Sequence, residues 1–572
     1  MFLPTTRSEC RDLGWQKLDI ILVTGDSYID SPYAGTVLIG KHLLSHGFKV
    51  GIIAQPDPDS PADIARLGEP ALWWGVSGGC VDSLVANYTA TKKWRKSDDF
   101  TPGGVNNRRP DRAVIAYTNL IRRHFKKTRP IVIGGIEASL RRISHYDYWS
   151  NTVRRSILFD ARADILIYGM GETAALAISR RLQSGQPVQA IAGICYISKT
   201  VPAGFLALPS HAEVKADKQS FTRMFIDFYQ NNDPLTARGL YQQQDTRYLV
   251  QNPPAPVLEQ AELDRLYALE FEHAQHPYYD KIGPVRALDT IKFSITTHRG
   301  CHGECNFCAI AAHQGQTVRW RSEKSILDEA RRLSASTDFK GIIRDIGGPT
   351  ANMYGYECTK KLKKGCCADK RCLYPEICRQ MPVNHKPQTA LLKKVAALPG
   401  IKKVFVASGI RYDLILSDTA AGEQYLKQLV SAHVSGQMKV APEHMNDSIL
   451  KLMGKPSNKK LVEFKDRFDR LSKTAKKKQF LTYYFIAAHP GCDMEEMRRL
   501  AGFTHNQLKL YPEQVQIFTP TPSTFSTLMY YTGRDPFSGR PVFVEKSPRG
   551  KTAQKSLLLK KERPGSKKAI RR

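Results

Sequence analysis

The sequence predicts an α/β protein in which an N-terminal Rossmann-like parallel sheet is followed by a partial (β/α)6 barrel. Three observations carry that expectation. Short apolar runs end in glycine at Leu18–Gly25 (LDIILVTG), Pro130–Gly135 (PIVIGG) and Ala163–Gly171 (ADILIYGMG), as buried parallel strands do. From residue 285 onward, further apolar runs alternate with helical patterns about six times, the arrangement of a barrel built from β/α units. A loop dense in cysteine and glycine, RGCHGECNFCAI at Arg299–Ile310, follows directly on the first of those runs.

In chain order, a helix over Gly35–His46 and a strand over Phe48–Ala54 complete a βαβ unit with the first run. Glycines at strand ends let backbone approach a ligand or a neighbouring helix at the carboxyl edge of the sheet. A helix over Glu172–Ser184 starts with an acid, which suits its N-terminus. His145–Ser150 (HYDYWS), with Arg141, Arg142, Arg154 and Arg155, reads either as packed core with a polar rim or as a basic, aromatic cleft for phosphates. These elements make a domain over 1–200. Residues 201–284 read as a linker with Pro253, Pro254 and Pro256, plus a connecting helix over Leu258–His273.

The barrel is expected over 285–540. Its strands fall at Leu288–Thr296, Gly341–Gly348, Val404–Ser408, Met438–Ala441, Thr482–Ala487 and Val515–Thr519. A helix over Ser325–Leu333 carries a Ser325-x-x-Asp328 cap pattern. A cysteine-rich insertion occupies 355–380, and a basic, disordered tail 541–572.

Cys301, Cys305 and Cys308 stand at C-x3-C-x2-C spacing. Soft thiolates select zinc, copper(I) or an iron–sulfur cluster. Zinc prefers four ligands, so three thiols leave it one short. A 4Fe–4S cube on three thiols keeps one iron open for a substrate or cofactor. Five more cysteines lie between Cys358 and Cys378. Of these, Cys358, Cys366, Cys372 and Cys378 form a candidate second site for zinc or a second cluster, with Lys and Arg nearby to favour thiolate.

Composition bounds the rest. Hydrophobic residues make up 42% of the 572, enough for several cores. No run of about 18 apolar residues signals a membrane span, and the first residues lack a secretory apolar segment. Eight of twelve cysteines gather between Cys301 and Cys378, which suits metal binding in a reducing cytoplasm rather than disulfides. The net charge is +31, of which +10 lies from Lys546 to Arg572. That excess suits either a solvated surface or contact with RNA or another polyanion.

The cysteine spacing is that of radical S-adenosylmethionine (SAM) enzymes. Together with GDSYIDSPYAG, GGIEASLRRISHYDYW, DIGGPTANMYG and the APEH segment, it resembles the YgiQ family of radical SAM proteins over nearly the whole chain. The resemblance implies a 4Fe–4S cluster on Cys301, Cys305 and Cys308, SAM on the open iron, and cleavage to a 5′-deoxyadenosyl radical acting on an unidentified substrate. It implies an adenine contact at Phe307 and backbone contacts to the SAM amino group at Gly347 and Gly348, where Pro349 replaces an acid. By position Ser408, Arg411, Lys439 and Glu443 resemble groups that hold the SAM ribose and carboxylate. His444 and His489 read equally as members of that set or as structural histidines. A reductant such as flavodoxin or ferredoxin is implied as partner.

The N-terminal half is similar to the cobalamin-binding-type domain of one radical SAM subgroup. The D-x-H-x-x-G pattern of such domains lies on Asp30–Gly35, with Pro32 in the histidine place. Cobalamin, if bound, would lack that ligand. A cobalamin-dependent methyltransferase and a non-catalytic zinc- and RNA-binding protein are the alternative functions.

Overall fold

The computed structural model describes residues 1–559. Strand β1 (Ile20–Thr24), helix α1 (Gly35–Leu44) and strand β2 (Val50–Ala54) form the first βαβ unit, with Ile20 opposite Val50 in parallel register. Both strands are buried throughout, which is why they read as unbroken apolar runs. β3 (Trp73–Ser77), β4 (Ile131–Gly134) and β5 (Ile165–Ile167) extend the sheet in parallel on the other side of β1. Helix α2 (Glu172–Gln183) follows β5 and packs beside α1.

The sheet does not stop at residue 200. β6 (Ile194–Ser198), β7 (Leu206–Leu208), β8 (Leu240–Gln244) and β9 (Arg247–Gln251) complete nine strands in the order β7-β8-β9-β6-β5-β4-β3-β1-β2. The expected linker over 201–284 is therefore largely sheet and covering helix. Its strands escaped notice because buried amides interrupt their apolar positions. Gln242 and Gln244, both fully buried, accept the backbone N–H of Ser144 and Ser156 at 3.0 Å each. The connecting helix is also shorter than its periodicity suggested, at Gln260–Ala268.

The second half is a curved row of parallel strands in chain order: β10 (Ser294–Thr296), β11 (Asp345–Gly347), β12 (Lys403–Val404), β13 (Gln437–Glu443), β14 (Phe480–Ala487) and β15 (Gln514–Ile517). β10 pairs with β11, Ile342–Ile343 with β12, Ile410 bridges Val440, and β13, β14 and β15 pair in turn. Two expected strands are cut short. Leu288–Ile291 is a helical turn. After Val404 the ladder ends because Ala407 and Ser408 donate their N–H groups to Asp345 instead, at 2.7 and 3.1 Å. The helix after the cysteine loop starts at Glu323, capped by Ser322, whose hydroxyl accepts from Ser325 N at 3.1 Å. Ser325 does not cap; it takes the guanidinium of Arg321.

One apolar core runs through both halves, joining Val23, Val76 and Ile133 to Ile295, Ile346 and Phe485. The expected disordered tail is corrected by helix α3 (Pro548–Leu558), capped by the Ser547 hydroxyl. Lys551, Gln554 and Leu558 face inward and are buried. Gln554 accepts from Ala488 N at 2.8 Å and donates to Cys492 O at 2.9 Å. Lys551 donates to the hydroxyls of Tyr148 and Tyr530 at 3.0 and 3.1 Å, tying the first sheet's loops to the barrel. A charge count alone cannot separate these inward groups from solvated ones. Residues 560–572 of the expected tail lie outside the described residues.

Burial, and then Lys92, pull the Lys551 ammonium down to about 8, against about 10.4 in an unfolded chain. Between those values the unfolded chain binds more protons, so this group's contribution rises with pH and is lost as pH falls through the folded value. Urea denaturation should show wild type gaining about 1–2 kcal/mol on a Lys551→Met variant between about pH 7 and about pH 10. A pH-independent difference would show that Lys551 titrates normally.

Candidate functional site

The cysteine loop leaves β10 through an antiparallel bridge in which His298 and Arg299 face Trp320 and Arg319. Gly300 has φ +81°, and a Cβ there would lie 2.3 Å from the Thr317 carbonyl oxygen, so the turn accepts only glycine. Gly303 N donates to Cys301 Sγ at 3.3 Å. A Cβ on Gly303 would stand 3.2 Å from Cys301 Sγ, 3.3 Å from Arg411 Nη1 and 3.7 Å from Cys305 Sγ. Two thiols and a guanidinium thus meet over one glycine. Burial pushes the Cys308 thiol up to about 12, followed by the charges of Cys305 and Cys301, which places it in the same electrostatic neighbourhood. The loop is pinned from below by Asn306, whose N–H and side-chain amide donate to Met453 O and Leu452 O at 2.8 and 2.9 Å.

Charges gather under the loop. Arg411 is held by Asp413 through two bonds of 2.8 and 2.5 Å. Burial alone would lower its pKa, but Asp413, then Cys305 and Cys301, raise it. Lys455 lies 3.8 Å from Glu443 and lowers the Cys305 thiol against the larger upward push of burial. Glu443 has φ +66°, a conformation that non-glycine residues rarely hold outside functional or strained sites. Burial raises its carboxyl.

A chamber of about 530 Å³ lies between the carboxyl edge of the nine-stranded sheet and the barrel mouth. Gly134, Gly135 and Ser77 line one side, Gly347, Gly348 and Ser408 the other, and His298 and Arg299 lead from it to the thiols. Its lining continues as an apolar slot along one face of the sheet, past Leu22, Gly75, Val132 and Ile167 on the strands and Val37 and Ala175 on α1 and α2. A wider mouth of about 1100 Å³ on the open side of the barrel shares Tyr33, Asp345 and Ser408 with the chamber and is lined by Lys439.

The sequence-predicted residues therefore divide. Gly347, Gly348 and Ser408 stand on the chamber wall, with the Ser408 hydroxyl donating to Asp345. Arg411 and Glu443 lie under the cysteine loop, and Lys439 faces the outer mouth. Phe307 packs edge-on against His489 at 6.3 Å between ring centres. Both histidines are structural. His489 engages Pro490 O at 2.9 Å and Ser526 Oγ at 2.7 Å. His444 accepts from Asn446 N at 3.1 Å and faces Cys492 Sγ at 3.6 Å. Burial pulls their pKa values down to about 3 and about 4 respectively, so both are neutral.

The second cysteine group is less convergent than its spacing suggested. Cys358, Cys372 and Cys378 pack with Tyr356 and Met381, whereas Cys366 is tied to Asp233 through its N–H at 3.0 Å. The nearby lysines do not win: burial outweighs Lys361 and pushes Cys366 up, and Cys372 to about 11. Lys361 ties the insertion to the cysteine loop, 3.0 Å from Glu357 and donating to Gln316 O at 2.8 Å. Among the described residues no three His, Cys, Asp or Glu side chains converge closely enough for a single metal ion.

The His145–Ser150 stretch is core. Asp147 pairs with Arg112 at 2.8 Å, Arg154 with Asp160 at 2.6 Å and Arg141 with Asp82, while Arg142 stacks over Tyr168 and Phe228. Glu137 of the GGIEAS stretch accepts from Ser83 N and Val114 N at 3.0 and 3.2 Å, so it braces the strand-end turns. Sequence reasoning overlooked the bond that joins the two halves: Arg299 to Glu172 of the GMGE turn, at 2.6 Å and buried. Burial alone would raise the Glu172 carboxyl, but Arg299, together with a backbone hydrogen bond, more than offsets it. It also overlooked His298, held by Thr297 Oγ1 at 2.8 Å, with Nε2 lacking a partner among the described residues. The RG dipeptide before Cys301 and the acid after GMG were the available signals.

Residues 2–294 match the family model for the radical SAM N-terminal domain, 295–504 that of the radical SAM superfamily, and 513–564 a domain of unknown function, DUF3362. A UPF0313 protein of Fusobacterium nucleatum is 58% identical over 563 residues, covering 98% of this chain and 99% of its own. A UPF0313 protein of Thermotoga maritima is 49% identical over 566 residues, covering 98% and 99%. Among solved structures, the radical SAM methyltransferase TsrM of Kitasatospora setae, with cobalamin and a [4Fe-4S] cluster bound, aligns at a TM-score of 0.52 and 14% identity over 89% of this chain and 77% of that one. The cobalamin-dependent SAM radical enzyme OxsB, with aqua-cobalamin bound, aligns at 0.50 and 12%, over 92% and 57%. At such identities the likeness is one of fold.

A Cβ on Gly348 would lie 2.6 to 2.9 Å from the His298 ring, so Gly348→Ala must displace either the ring or the strand end. Calorimetric titration with SAM should show affinity at least about tenfold weaker, or about 1.4 kcal/mol. Wild-type affinity would mean this strand end does not meet SAM.

Proposed function

The chain belongs to the UPF0313 family of radical SAM proteins, and on that footing we propose that it cleaves SAM reductively and turns the resulting 5′-deoxyadenosyl radical on a substrate held between its two sheets. The observation that carries this reading is the meeting of Cys301, Cys305 and Arg411 over Gly303, on a loop whose stem lines the chamber. The donor set fits a 4Fe–4S cluster: three soft thiols, a backbone N–H aimed at one of them, and cations beneath. When bound, the cluster supplies the electron that breaks a carbon–sulfur bond of SAM.

The protein groups bind, orient and shield. Arg411 and Lys455 offset thiolate charge. Gly347 and Gly348 present backbone to the SAM amino group, Ser408 is fixed toward the ribose by Asp345, and Phe307 offers its ring to adenine. Walls contributed by both sheets keep water from the radical. A flavodoxin or ferredoxin suits a chain of net charge +31 as electron donor, and the same charge leaves RNA or another polyanion as a candidate substrate.

A second reading adds a corrinoid. The chamber beside strand-end glycines, with an apolar slot leading down the sheet between α1 and α2, suits a wide ring carrying a slender appendage. Asp30, of the stretch aligned with the cobalamin pattern, is occupied by Lys41 at 2.9 Å, and Pro32 offers the chamber no ligand atom. Cobalamin would then serve a methyl or other group transfer.

Anaerobically purified protein should carry about four irons and release 5′-deoxyadenosine from SAM and dithionite, and Cys305→Ala should lose both. Cleavage retained in that variant would sink the assignment. Iron well above about four per chain would instead place a further cluster on Cys358, Cys366, Cys372 and Cys378. Hydroxocobalamin co-eluting with the protein on a desalting column would establish the corrinoid.

A further inference from the structure

The chamber contains a thiol that neither cysteine group accounts for. Cys80 follows β3 through Gly78 and Gly79 and lines the chamber. A Cβ on Gly79, at φ +106°, would lie 2.2 Å from Asp26 Oδ1, and one on Gly78 2.5 Å from Glu137 Oε2. The turn is therefore drawn tight between two buried carboxylates, as only glycines allow. Cys80 N donates to Asp26 Oδ2 at 2.6 Å, and Asp26 is itself fixed by Arg109 at 2.8 Å. This bracing sets Cys80 Sγ 3.6 Å from the carbonyl oxygen of Tyr33. Tyr33 follows Pro32, which stands where the cobalamin pattern has its imidazole.

Other chamber groups point to a bound ligand. Ser27 Oγ, Glu172 Oε2 and His298 Nε2 are buried, belong to lining residues and have no hydrogen-bond partner among the described residues. Unsatisfied buried polar atoms are costly, and three of them on residues that line one cavity call for partners that the protein itself does not supply.

We propose that Cys80 Sγ is the protein group facing the cobalt of a corrinoid on the sheet side of the chamber, in the place that Pro32 leaves without an imidazole. This rests on the corrinoid reading of the chamber. Thiolate is a soft ligand of late transition metals. On binding hydroxocobalamin, the thiol proton would leave with the cobalt-bound hydroxide as water and a sulfur–cobalt bond would replace the cobalt–oxygen bond, with no change of oxidation state and no further reactant.

The test uses full-length protein and hydroxocobalamin. Wild type should retain the corrinoid through desalting, and Cys80→Ala should retain at least about tenfold less or shift its visible absorption bands. On wild type alone, hydroxocobalamin should block alkylation of Cys80 by iodoacetamide, read by peptide mass spectrometry, which keeps the test independent of the variant's folding. Corrinoid retained by wild type with an unchanged spectrum in Cys80→Ala and unslowed alkylation overturns the role of Cys80 and leaves the corrinoid reading standing. No corrinoid retained by wild type overturns both.

Discussion

The buried bond between Arg299 and Glu172 is the constraint on which the site depends. Two desolvated charges are tolerated only as a pair, and removing either strands the other at a cost of about 3–5 kcal/mol. Arg299 opens the cysteine loop and Glu172 opens the helix after the GMG turn, so one contact fixes where the thiols stand relative to the first sheet's strand ends. Smaller contacts repeat the arrangement. His313, just past the third cysteine, meets Ser139 Oγ at 3.1 Å, and Ser523 donates to Leu140 O at 2.9 Å. Each spans the two halves, so the chamber walls keep their separation through polar contacts with directional geometry rather than through apolar packing alone.

Much of this was legible in the residues. Apolar runs ending in glycine located β1, β4 and β5, because a strand buried on both faces has little other way to be written. The cysteine spacing located the site for a similar reason: few uses exist for three thiols within eight residues. What stayed illegible was held by polar side chains doing internal work. The strands after residue 200 are paved with glutamines whose amides serve loop backbone, and their composition resembles that of a linker. Helix α3 was hidden by lysine and arginine content, although Lys551 points inward to two tyrosines. Pairings between distant residues, Arg299 with Glu172 or Cys80 with Asp26, leave no periodic trace.

The same blindness affects the reading of charge. Arg109, Arg141, Arg142, Arg321 and Arg411 are all buried, stacked on rings or paired with carboxylates such as Asp98, Asp82, Glu329 and Asp413. Guanidinium suits such places because its planar fork satisfies several acceptors at once. Each such pair sums to zero, so the formal charge of +31 is carried by other cations, and composition alone does not tell which arginines an approaching polyanion would meet.

The shared chamber has a further thermodynamic consequence. A molecule that fills it touches strand ends from both sheets at once, so it acts as a staple between the halves as well as a ligand of either. Binding to the native state alone adds RT ln(1 + [L]/Kd) to the free energy of unfolding, and here that increment falls on the junction whose polar contacts hold the two halves together. Candidate substrates can thus be ranked by the melting temperature they confer on the resting protein, before any turnover has been seen.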